Sequence, residues 1–68
     1  EMWNALICFQ RGICLLGLED RTSAEAALNM GNGLIGAPED GHPGARHWGH
    51  PRWYQRRLIA MLAEQKER

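Results

Sequence analysis

The chain has 68 residues, with eight basic and eight acidic side chains and a formal net charge of zero. This length allows one domain at most, and a chain so short has a thin stability margin unless something outside it helps. Neutrality excludes a uniformly basic nucleic-acid coat and an acidic disordered tail.

Val is absent, Thr occurs once, and Ala and Leu occur eight times each. Residues suited to a pleated surface are scarce and strong helix formers abound, so the composition predicts an all-α protein. The zero charge divides unevenly. Residues 1–41 carry six acids and two arginines, whereas residues 42–68 carry six bases and two acids. The halves can attract each other, or the basic half can face an acidic partner.

The first predicted element is a helix over 2–18. It is apolar around most of its circumference; Asn4 and Arg11, seven apart, mark a narrow polar stripe. The stretch is short and interrupted by Asn4, Gln10 and Arg11, which argues against a membrane span. Cys8 and Cys14 lie six apart on this helix and cannot bridge within it. They read as buried free thiols, which favours a reducing compartment. The chain opens at Glu1 rather than Met, and no signal peptide is legible.

A second helix is predicted over 23–30. Thr22-Ser23-Ala24-Glu25 has the form of a capping box, and Gly31-Asn32-Gly33 reads as a stop signal. The two helices form an αα-hairpin joined at Glu19–Arg21. Over about residues 8–36 the hairpin resembles a single tetratricopeptide unit, with Gly12, Leu15, Ala24 and Leu28 at its packing positions. Cys8, Arg11 and Gly36 depart from that pattern and no second copy follows. The resemblance implies protein binding.

Residues 31–50 are predicted to be a long loop, rich in Gly, Pro and His, ending at Pro51. Such a loop in a small domain is functional or is ordered from outside. Gly31-Asn32-Gly33-Leu34-Ile35-Gly36 matches Gly-x-Gly-x-x-Gly, but it follows a helix rather than a strand, which is the wrong context for a dinucleotide site. A third, amphipathic helix is predicted over 51–66. Pro51 opens it, and Tyr54, Leu58, Met61 and Leu62 form its stripe. Arg52, Gln55 and Arg56 fall off that stripe, and Glu64–Arg68 is spaced as an i, i+4 ion pair.

Three groups of residues could carry function. First, the apolar helix demands more cover than the chain supplies. Trp3, Phe9, Leu15, Leu16 and Trp53 are the expected anchors on a protein partner or a second copy, in a homo-oligomer or a larger assembly. Second, Arg46, Trp48, Arg52, Trp53, Arg56 and Arg57 fall in a stretch without acids. They suit phosphate contact and base stacking, or a protein hot spot. Third, His42, His47 and His50, preceded by Glu39 and Asp40, have spacings that suit a metal ion, or are loop histidines titrating near neutrality. No catalytic residue and no cofactor are assigned. Cys8 and Cys14 sit far in sequence from any histidine, and Thr22 and Ser23 are explained by capping.

Overall fold

The computed structural model describes residues 2–39 and 41–66. The chain is all-α: helices α1 (Met2–Gly17) and α2 (Arg21–Ile35) form the hairpin. A short 3-10 turn (Pro43–Arg46) follows, and α3 (Pro51–Lys66) packs across the hairpin. No helix among the described residues is long and apolar enough to cross a membrane.

The chain covers one face of α1 itself. Ala5, Phe9, Gly12 and Leu16 step by four, three and four residues, so they share one side of the helix. That side is buried with Ala24 of α2 and with Leu58 and Leu62 of α3. At Gly12 helix α1 meets both α2 and α3. A Cβ there would lie 2.6 Å from Leu58 Cδ2 and 3.4 Å from the Ala24 carbonyl oxygen, so no larger residue fits without repacking.

The α1–α2 connection is a Schellman turn. Asp20 N–H donates to Leu15 O (2.9 Å) and Glu19 N–H to Leu16 O (2.9 Å). Glu19 adopts φ 61°, the left-handed conformation usually given to glycine. Asp20 then caps α2: its carboxylate accepts from Ser23 N–H at 3.2 Å. Thr22 therefore lies inside the first turn and is not the cap, and Glu25 pairs with Arg21 at 2.7 Å. The predicted Thr22/Glu25 capping box is replaced by this Asp20 cap, because the Schellman turn starts the helix two residues earlier.

Helix α2 also runs five residues past its predicted end, through Gly31-Asn32-Gly33 to Ile35. Gly31 is buried because the Phe9 ring of α1 lies against its Cα; there is no room for a Cβ. The glycine serves close helix packing, and the true stop is Gly36 at φ 91°, whose N–H donates to Asn32 O at 2.7 Å.

The C-terminus of α2 is completed from α3. Arg52, with its side chain 10% exposed, donates to Ile35 O (2.6 Å) and Ala37 O (2.7 Å). Gln55, 1% exposed, donates to Gly36 O (3.0 Å) and Asn32 Oδ1 (2.7 Å) and accepts from Arg52 (3.1 Å). These two side chains satisfy carbonyls that a helix end leaves orphaned, and so tie α2 to α3. The amphipathic stripe of α3 is otherwise as predicted: Leu58 and Leu62 are buried, and Tyr54 and Met61 pack against the core. The Glu64–Arg68 pair lies outside the described residues.

Candidate functional site

Three surfaces merit attention, and the first is the outward face of α1. Trp3, Ile7, Gln10, Cys14 and Gly17 step by four, three, four and three residues, the mirror of the buried row. Trp3 is 77% exposed and Ile7 58%; Leu18, just beyond the helix, is 78% exposed. Cys14 is exposed as well, not the buried thiol expected, because it lies on this outer row. Cys8 is half-buried and, with Arg11 and Leu15, borders a groove against Ser23, Ala27 and Met30 of α2.

The expected anchors therefore separate. Phe9 and Leu16 lie in the chain's own core and offer nothing to a partner. Their place on the inner row is the physical reason: apolarity all round α1 hid which side the hairpin would use. Leu15 stays half-buried at the α1–α2 groove, and Trp3 is open. Trp53 lies on α3, half-buried, with its ring edge-on to Tyr54 at 5.0 Å. Sequence reasoning missed Ile7 and Leu18. A heptad count from Trp3 would have found the row containing Ile7.

The second surface is the histidine cluster. His42 and His50 lie with ring centroids 5.8 Å apart. Each uses Nδ1 as an acceptor: His42 from Gly44 N–H (2.9 Å) at the start of the 3-10 turn, His50 from Arg52 N–H (3.0 Å) at the start of α3. The His50 carbonyl also accepts from Trp53 N–H (2.9 Å), so His50 is the N-cap of α3. Gly44 is buried under the His50 ring, leaving no space for a Cβ. Burial, and then the charges of His42, His47 and Arg52, hold the His50 pKa below its ordinary value. An Nδ1 that accepts places the ring proton on Nε2, whereas a histidine ligating through Nε2 carries its proton on Nδ1. The caps thus oppose ligation by His42 and His50, and His47 is exposed beyond the 3-10 turn. No group of three or more metal-ligating side chains gathers among the described residues. Asp40 lies outside those residues.

The third surface is the arginine- and tryptophan-rich stretch. Arg52 is spent on the Ile35 and Ala37 carbonyls at and just past the end of α2 and lies 3.9 Å from Glu39, so it is structural and not a free phosphate ligand. Arg46, Arg56, Arg57 and Trp48 are exposed. Trp53, Arg56, Arg57 and Ala60 share the outer face of α3 and, with Ala45, border a shallow, open groove of about 280 Å³.

No protein-family model, curated protein or solved structure matches this chain. The likeness to a tetratricopeptide unit thus gains no family support, and function has to be argued from these surfaces alone.

Proposed function

We propose that the protein is a small self-associating structural subunit whose α1 outer face packs against the same face of a second copy. The observation that carries this reading is the exposed row Trp3, Ile7, Cys14 with Leu18 beside it, on a helix whose opposite side is already buried. Spacing of four and three is that of a coiled-coil seam, which is complementary to a like helix.

The area supports a second copy. Trp3, Ile7 and Leu18 leave roughly 400 Å² of apolar surface open, from their exposed fractions and ordinary side-chain areas. A standard interface takes about 800 Å² from each partner, a little over half of it apolar. Gln10 and Gly17 sit in the same row, so the seam is imperfect and the association is of modest strength. Arg11, flanking the row, is its one ionised side chain among the described residues and stays at the solvated edge.

Binding linkage gives the test. A dimer melts at a temperature that rises with protein concentration, and a monomer does not. The wild-type chain should show that rise. Ile7→Glu should abolish it while leaving the helical circular dichroism at low concentration unchanged, since Ile7 is exposed. A concentration-independent melt of the wild type, or an Ile7→Glu variant that behaves like it, overturns the proposal.

A further inference from the structure

We infer that the groove on the outer face of α3 binds single-stranded nucleic acid, with phosphates on Arg46, Arg56 and Arg57 and bases stacked on the tryptophans. The site is distinct from the α1 face and does not depend on self-association.

Trp53, Arg56, Arg57 and Ala60 stand at i, i+3, i+4 and i+7, so a single helix face presents two guanidinium groups around an indole. The shallow, open groove they border is lined otherwise only by small side chains, Ala45 and Ala60, and Trp53 is half-buried at its edge. Arg46 is the residue after Ala45 and is exposed. Trp48 follows two residues later and stands 78% clear of the protein.

The arginines of this surface form no ion pair among the described residues, although Glu39 borders the neighbouring hollow with Arg56. Ion pairs among the described residues engage Arg21 and Arg52, not Arg46, Arg56 or Arg57. The first turn of α3 holds no acid, and its positive end adds to the field of the arginines in the second turn. Glu64, one turn beyond Ala60, is the acid on this face. Holding Arg56 and Arg57 side by side is unfavourable alone and favourable opposite an anion.

An anion with flat rings fits better than an acidic peptide. Guanidinium pairs bidentately with carboxylate and phosphate alike, but Trp offers a stacking surface that a carboxylate chain does not use. A single strand fits better than a duplex. Stacking requires exposed base faces, which a duplex keeps inside.

The probe is a fluorescently labelled oligothymidine of about 12 nucleotides, titrated with the full chain and followed by anisotropy. Three phosphate contacts predict that log K falls with log salt at a slope of about −2. Arg56→Ala/Arg57→Ala should weaken binding at least tenfold and cut the slope to below −1 in magnitude, with the helical spectrum retained because both residues are exposed. Trp48→Ala should weaken binding several-fold with the slope unchanged, the signature of stacking lost and charge kept. Ile7→Glu should bind as the wild type does, which separates this site from self-association. The proposal is overturned by absence of binding at low salt, by wild-type affinity in the double-arginine variant, by a duplex of the same length binding as tightly, or by polyglutamate displacing the strand at equal charge.

Discussion

Gly31 offers the sharpest test of how the hairpin is packed. In an exposed helix interior, Gly→Ala stabilises by about 1 kcal/mol, because Ala loses less backbone freedom on folding. At Gly31 the same change drives a methyl group to under 3.0 Å from three carbons of the Phe9 ring. That ring is fully buried between the helices and has nowhere to retreat. Overpacking of this kind costs about 1–3 kcal/mol, which set against that gain leaves Gly31→Ala with a net loss of up to about 2 kcal/mol. In a domain of this size that lowers the melting temperature by up to roughly 15 °C. Gly33 is the internal control: it lies in the same helix, with nothing within 4 Å of an added Cβ. Gly33→Ala should therefore stabilise by up to about 1 kcal/mol. Phe9→Leu should relieve Gly31→Ala, with a favourable coupling on the order of 1 kcal/mol in a double-mutant cycle. Urea and thermal melts at one fixed protein concentration measure the wild type and all four variants. A Gly31→Ala variant as stable as Gly33→Ala refutes the packing. Loss without rescue by Phe9→Leu would mean that Gly31 ends the helix, as its sequence context suggests.

Other variants probe the remaining joints of the fold. Arg52→Ala strips donors from the Ile35 and Ala37 carbonyls and from Gln55, and should destabilise by about 2–3 kcal/mol in urea melts. Arg52→Lys should recover little of it, because one ammonium cannot reproduce the guanidinium fork. Asp20→Ala should lower the melting temperature and Thr22→Ala should leave it unchanged, which identifies the cap of α2. Hydrogen bonds from Ser23 hold the Asp20 carboxyl below 3.8, so the Asp20 contribution is present above that pH and fades as the carboxyl protonates in the folded state. For His50 the folded pKa lies below 6.5, so between the two values the unfolded chain binds more protons. Stability is then fully present above about pH 6.5 and falls as pH drops through that window. His50→Asn, which keeps a capping acceptor without titrating, should flatten this part of the stability–pH profile.

Much of the architecture is legible in the sequence because helix signals are local. The Ala/Leu-rich composition, the stripe Tyr54–Leu58–Met61–Leu62 and Pro51 at the head of α3 all act within a few residues. What stays hidden depends on partners distant in the chain. Gly31-Asn32-Gly33 reads as a stop until the Phe9 ring is placed on Gly31. Arg52 and Gln55 read as positions off the apolar stripe until the open carbonyls at the end of α2 are brought to them. The supposed loop at 31–50 is shortened from the front by α2 and pinned from behind by two capping histidines. The candidate site follows the same rule. That α1 has apolar residues to spare is evident from 16 residues of sequence; which of them the hairpin consumes, Phe9 and Leu16, is decided only by packing.

Sedimentation equilibrium of the unmodified chain, from about 1 to 100 μM, asks most directly whether the outer face of α1 is buried against a second copy. A molecular mass rising from that of a 7.7 kDa chain towards twice that value is the predicted result. A single 7.7 kDa species across the whole range, still fully helical, would contradict it.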